Sequence, residues 1–247
     1  MSLKSTTEPR GETGRVRVVG MRKIWLSWSS GKDSAWALHV LRQPRSYEIT
    51  GLITTINSAF DRVAMHSTRR ELVEMQAEAA GIPLVKAPLP WPCSNVDYEA
   101  AMKTVCDRAL AEGVTAIAFG DLFLTDIRAY REQQLSGTGL EPLFPLWQMP
   151  TDQLAREMIH GGLRAKLVCV DPQQLDPKFT GRDFDLELLR ELPPTVDPCG
   201  ENGEFHSFVY AGPMFCRALP VATGQIVERD GFSYCDVLPA RAAPGQR

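Results

Sequence analysis

The 247-residue chain carries six cysteines but no C-x-x-C pair, which excludes a zinc ribbon and a thioredoxin-type redox site. Scattered thiols at positions 93, 106, 169, 199, 216 and 235 read as reduced side chains of a cytoplasmic protein. No apolar run approaches the roughly 20 residues of a membrane span. A large excess of one charge is also missing. Twenty-seven basic residues against 30 acidic ones leave a formal net charge of −3, which argues against a surface built wholly to grip nucleic acid. Nineteen glycines and 18 prolines, about 15% of the chain, fall short of collagen or of a disordered polymer. Residues Met1 to Gly20 are polar and lack an apolar core, so they read as a disordered leader rather than a signal peptide. There is no G-x-x-x-x-G-K-[ST] loop, no G-x-G-x-x-G fingerprint and no internal repeat. The length suits one large domain, or a domain with a smaller lobe.

From Lys23 onward, short apolar runs alternate with helical patterns. Strands are expected at Lys23–Trp28, Glu48–Ile56, Ile82–Lys86 and Val114–Phe119. Helices are expected after Lys32, after a Thr68/Glu71 capping box, from Asn95 to Glu112 and from Thr125 to Gln134. The strand starts recur at about one βαβ unit, so the sheet is expected to be largely parallel, with helices on both faces. Prolines 142, 145 and 150 mark a change of character. Beyond them a helix at about Asp152–His160 and strands at Lys166–Val170, His206–Tyr210 and Gln225–Val237 predict a smaller α+β lobe. The fold class is therefore α/β with a second lobe, divided as 21–140 and 141–239, and a loose tail from Ala240.

The strongest chemical signal is Ser29-Ser30-Gly31-Lys32-Asp33-Ser34, between the first strand and the first helix. A small-residue loop lets backbone N–H groups approach an anion, and the helix N-terminus adds partial positive charge. Lys32 supplies a point charge for phosphate oxygens, and the serine hydroxyls supply donors. Asp33 cannot favour a bare phosphate, so its reading is a ligand for a divalent metal on the phosphates. A merely capped helix explains one serine and Asp33, but not a lysine opposing the dipole in the first turn. The hexapeptide resembles the S-G-G-x-D-S loop of the N-type ATP pyrophosphatases, with Ser30 at the usual first glycine. The resemblance implies an adenine nucleotide α-hydrolase-like sheet and attack of a substrate oxygen on the α-phosphate of ATP.

Gly120-Asp121 follows the fourth strand at its carboxyl end, where parallel sheets bind ligands. Asp121 is expected to face the same cleft as the loop, or else to cap the next helix. Arg128 and Arg131 on that helix are either a solvated face or within reach of a phosphate. Glu201 and Glu204 flank a glycine in Cys199–His206 and suggest paired carboxylates, unless the segment is a plain polar hairpin. Cys199 reads as an inert thiol, and Trp25, Trp28 and Trp36 read as core.

Taken in order, the loop, Met65-His66, Gly120-Asp121, Pro145-Leu146-Trp147 and the G-E-N-G-E-F run at 200–205 resemble the diphthine–ammonia ligase family. That resemblance implies an ATP- and Mg²⁺-dependent amide ligase. A carboxylate forms an acyl-adenylate, ammonia displaces AMP, and pyrophosphate is released. It implies Lys32, Asp33, Asp121, Glu201 and Glu204 as catalytic candidates, with Asp33 on the metal. Nucleotide binding would fall to Ser29, Ser30, Gly31, Lys32, Asp33, Ser34, Thr54, Thr55, His66 and Gly120. Asn202, His206 and Ser207 depart from the family pattern and are expected on the acceptor side. Another acceptor carboxylate, as in a bacterial-type, cobalamin-related branch, therefore stays open. So do tRNA sulfur transfer, which the charge and cysteine pattern disfavour, and a nucleotide sensor without turnover. A homodimer is also left open.

Overall fold

The computed structural model describes residues 21–63 and 68–240. The leader expected over 1–20, the Met65-His66 pair and the tail from 241 lie outside the described residues.

Sheet A is built from β1 (Arg22–Ser27), β2 (Tyr47–Asn57), β3 (Arg62–Val63), β4 (Leu84–Leu89), β5 (Ala116–Ala118) and β6 (Glu141–Leu143). The central pairings β1/β2, β1/β5, β2/β4 and β5/β6 are all parallel, and only the two-residue β3 runs antiparallel. Helices α1 (Lys32–Arg42), α2 (Arg70–Ala80), α3 (Asn95–Ala111) and α4 (Thr125–Leu135) link the strands. In β1, Ile24 and Leu26 join one apolar cluster while Trp25 joins another, and all three are fully buried. Side chains alternate across a strand, so an unbroken apolar run marks a sheet covered on both faces. One cluster holds Ala35 and Leu38 of α1 with Leu72 and Ala77 of α2, and the other holds Val105 and Ala109 of α3 with Leu135 of α4.

Sheet B is antiparallel, in the order β8 (Phe205–Ala211), β7 (Arg164–Val170), β10 (Phe232–Pro239), β9 (Val221–Arg229). The run expected as one strand at Gln225–Val237 is a hairpin turning at Asp230-Gly231, both at positive φ. Helices α5 (Thr151–His160) and α6 (Leu186–Glu191) belong to this half. Phe205, Phe208 and Val209 of β8 share the apolar cluster of α1 and α2, so the core runs without a break from one sheet to the other.

One local expectation fails. No Thr68/Glu71 capping box forms: α2 starts at Arg70, and its N-cap Arg69 makes no side-chain cap bond. The Thr68 hydroxyl is buried and bonded instead to Ser30 Oγ at 2.9 Å, a tertiary partner that outcompetes the local one. β6 was also missed, because its three residues, including Pro142, carry no strand signature and pair only at the edge of β5.

The chain leaves β1 toward β2 and β4 on one side, then returns through β5 on the other. The order thus reverses between β1 and β5, and the crevice outside their carboxyl ends is where open α/β sheets bind ligands. The Ser29–Ser34 loop and Gly120-Asp121 both leave the sheet there. Gly120 is required: a Cβ would sit 2.9 Å from the backbone of Asp33 and Ser34, so any side chain would push α1 off the strand end.

Candidate active site

A cleft of about 250 Å³ opens at this reversal. Its walls include Ser29, Lys32 and Asp33 from the loop, Asp121 from the end of β5, Arg131 from α4 and Glu201 from the loop before β8. Residues 80 positions or more apart in the chain thus meet at the N-terminus of α1.

The loop is held from outside. Ser30 has φ +73, a left-handed conformation that favours glycine, and its surroundings impose it. Its carbonyl accepts the Val209 N–H from β8 at 3.0 Å and the Gln76 side-chain amide from α2 at 3.0 Å. The Lys32 N–H donates to Ser207 Oγ of β8 at 3.1 Å. Within the loop, Ser34 Oγ donates to the Gly31 carbonyl and lies 3.2 Å from Ser29 Oγ. Gly31, not a serine, is the N-cap of α1. Sequence reasoning missed Gln76. It is fully buried, accepts from Trp28 Nε1 and donates to the carbonyls of Ser30 and Val209, so one amide ties β1, the loop and β8 together. A lone buried glutamine on an apolar helix face was the available signal. Ser207, expected on the acceptor side, lines the cleft and also braces the Ser29–Ser34 loop.

Lys32 is 2% exposed, with Nζ 2.9 Å from Asp33 Oδ2 and 5.4 Å from the centre of the Phe205 ring. Burial opposes its charge, but Asp33, with Glu201 behind it, holds the ammonium above its ordinary range. Burial pushes the Asp33 carboxyl up against the pull of Lys32. Asp33 Oδ1 and Asp121 Oδ2 are buried and have no hydrogen-bond partner. Burial and the nearby Asp33 push Glu201 up to about 7, and its Oε1 accepts the Leu122 N–H at 3.0 Å. His206 also lines the cleft, and burial, then Lys32, lowers it to about 4, so it is neutral. Cys199 is buried and its thiol is pushed up, which leaves it inert.

Three expected site residues, Ser30, Thr54 and Glu204, are buried and line neither this cleft nor the cavity beside it. Glu204 is 2% exposed and does not line the cleft. Its carboxylate accepts the N–H groups of Asp197 and Asn202 and the Asn202 side-chain amide, so it braces the loop that presents Glu201. Asp197 does the same from below, accepting the N–H of Cys199 and of Glu201. The tight turn at Gly200 is obligatory: φ is +66, and a Cβ would meet the Phe205 carbonyl at 2.8 Å. Thr54 and Thr55 separate across the strand, as neighbours must. Thr55 lines a second cavity of about 440 Å³ next to the cleft, with Tyr98, Met102, Phe119 and Arg131. Thr54 is buried away from it, with its hydroxyl unpartnered. His66 lies outside the described residues.

The donor set fits a magnesium ion. Mg²⁺ takes one or two carboxylates and completes its shell with phosphate oxygens and water. Asp33 and Asp121 each offer a buried oxygen without a hydrogen-bond partner in the cleft. Among the described residues no cluster of three or more His, Cys, Asp or Glu side chains forms an all-protein metal cage.

Comparison with known families decides the kinship. The model described as the diphthamide synthase N-terminal domain matches residues 21–141, and the one for the C-terminal domain matches 150–240. The chain belongs to the diphthamide synthase family. Curated relatives are named diphthine–ammonia ligase. The one from Bos taurus is 27% identical over 190 residues, covering 68% of this chain and 69% of its own. That from Danio rerio is 28% identical over 240 residues, covering 87% and 90%. That from Schizosaccharomyces pombe is 25% identical over 227 residues, covering 84% of this chain and 37% of its own. Both diphthamide synthase domains contribute to the cleft, since the loop and Asp121 fall in the first and Glu201 in the second. No described helix is long and apolar enough to cross a membrane.

Proposed function

We propose that the protein is an ATP-dependent amide ligase that joins ammonia to a carboxylate, with 21–140 as the nucleotide lobe and 141–239 as the acceptor-side lobe. One observation carries the reading: a buried ammonium and a helix N-terminus form one wall of a cleft whose other wall presents Glu201. The name shared by its relatives supports it. Lys32 and the N-terminus of α1 hold the pyrophosphate end of ATP, in a dry setting where charge is worth most. Asp33 and Asp121 are the residues that would hold Mg²⁺, which supplies charge neutralisation on the phosphates when bound.

The acceptor carboxylate attacks the α-phosphorus. The bond from that phosphorus to the bridging oxygen breaks, and its electrons leave with pyrophosphate. Ammonia then attacks the acyl carbon, and AMP leaves with the electrons of the carbon–oxygen bond. The nitrogen sheds a proton to Glu201, whose position near 7 suits a general base at neutral pH. Diphthine, the acceptor in the relatives' name, is the first acceptor to test. His206 in the cleft, where the family pattern carries an acid, favours a second test with other carboxylates. The six free cysteines accord with a reducing, cytoplasmic setting.

The test is chromatography of adenine nucleotides after incubation with ATP, Mg²⁺, an ammonium salt and the acceptor. The expected products are AMP and pyrophosphate, each dependent on Mg²⁺. ADP as the main product overturns the mechanism for any acceptor.

A further inference from the structure

Arg131 is the one cation that lines the phosphate cleft, the adjoining cavity beside Thr55 and the further apolar cavity between α3 and α4, among the cavities of the described residues. It stands where those spaces meet. Its guanidinium lies over the Phe119 ring, 5.1 Å from the ring centre. Its Nε is buried and makes no hydrogen bond. The facing atom, Asp121 Oδ2, is 3.7 Å away and is equally unbonded.

That pair is odd as a structural salt bridge. An arginine serving to neutralise a buried carboxylate closes to about 2.7–2.9 Å, usually with two parallel bonds. Here a donor and an acceptor are both dry, both charged and both left open. A buried donor without a partner costs on the order of 1–3 kcal/mol. Such a cost persists where the missing partner is a ligand.

The position says which part of a ligand. On the nucleotide reading the Ser29–Ser34 loop and Lys32 would take the pyrophosphate end of ATP, and the cavity lined by Thr55, Tyr98 and Phe119 would take its flat base. The link between a polyphosphate and a nucleoside is the α-phosphate. We propose that Arg131 is a catalytic residue that binds the α-phosphate of ATP through its open Nε–H edge, freeing Asp121 for the metal. This rests on the nucleotide reading above. In the transition state the α-phosphorus gains a fifth oxygen and negative charge spreads over its non-bridging oxygens. A planar guanidinium beside them stabilises that charge more than it does the ground state.

The experiment is titration of the wild-type chain, Arg131→Gln and Arg131→Lys with ATP, AMP and inorganic pyrophosphate in Mg²⁺ buffer. Thermal unfolding of the unliganded variants accompanies it. Arg131→Gln is expected to weaken both ATP and AMP by tenfold or more while holding pyrophosphate within about twofold. Arg131→Lys keeps a charge but no fork, so it is expected to fall between. The diastereomers of ATP thiolated at the α-phosphorus supply a readout that packing alone does not move. The wild type should prefer one of them, and Arg131→Lys should lose that preference. Unchanged ATP and AMP affinities, or a loss of pyrophosphate as large as that of ATP, overturns the assignment. A retained diastereomer preference in a folded Arg131→Lys chain overturns it too. A wild-type chain that binds none of the three ligands overturns the nucleotide reading itself, and the assignment with it.

Discussion

Replacing Gln76 with leucine tests whether the Ser29–Ser34 loop is held by the fold or by its own sequence. Gln76 is fully buried, so water cannot substitute for the groups it satisfies. Removing its amide leaves Trp28 Nε1–H without an acceptor, at a cost of about 1–3 kcal/mol. The Val209 carbonyl loses a donor at 2.6 Å and the Ser30 carbonyl one at 3.0 Å. Each loss is worth about 0.5–1.5 kcal/mol, and Ser30 keeps the Val209 N–H. Burying leucine in place of an amide returns roughly 1–2 kcal/mol. The net loss is then about 2–4 kcal/mol, or a fall in Tm of roughly 5–15 °C for a chain of this size. Ser30 also loses part of what holds it at positive φ, so ATP affinity should drop by about tenfold at temperatures where the variant is fully folded. Circular dichroism gives the Tm, and a fluorescence titration at 20 °C or so gives the affinity. A Tm within about 2 °C of wild type refutes the energetic account. A large loss of Tm with unchanged ATP affinity refutes the link from Gln76 to the loop.

Glu201→Gln should raise stability at pH 8 but not at pH 4. Its folded carboxyl is raised to about 7, so its contribution is present below about 4.5 and lost as pH rises through 7. Melting curves at both pH values check this, and turnover of that variant should lose its rise through neutral pH. Glu204→Gln should act through the loop rather than as a lost acid. An amide must turn a donor toward the Asp197 or Asn202 N–H, and Tm should fall by roughly 4–10 °C, with ATP affinity held within about threefold. Ser30→Gly should be close to neutral, within about 1 kcal/mol, because relief of the positive φ offsets the lost bond to Thr68. Ser30→Val, which keeps the strain and loses the bond, should be clearly less stable than Ser30→Gly when both are unfolded by denaturant.

Four strands of sheet A, with the helices that link them, and the place of the Ser29–Ser34 loop between β1 and α1 were legible from the sequence because their causes are local. Apolar runs bounded by small residues make strands, a 3.6-residue period makes helices, and a lysine against the dipole in a first turn calls for an anion. Kinship to the diphthamide synthase family was legible for the same reason, as short motifs kept in order along the chain. What surrounds the loop was not. The Lys32 N–H finds Ser207 Oγ 175 positions away, and Gln76 finds Val209 133 positions away. No spacing rule reaches that far. Glu201 and Glu204 are equivalent on paper, two acids three residues apart. The turn at Gly200 and the donors of Asp197 and Asn202 separate them, one carboxylate into the cleft and the other into the loop that carries it. Thr68 shows the same competition in reverse, since a capping signal that is sound locally gives way to a buried hydroxyl partner. Sequence patterns settle which groups are available and which elements present them. Which polar group faces a ligand, and which is consumed in holding another in place, depends on burial, because a donor or acceptor removed from water must take whatever partner the packed chain brings within reach.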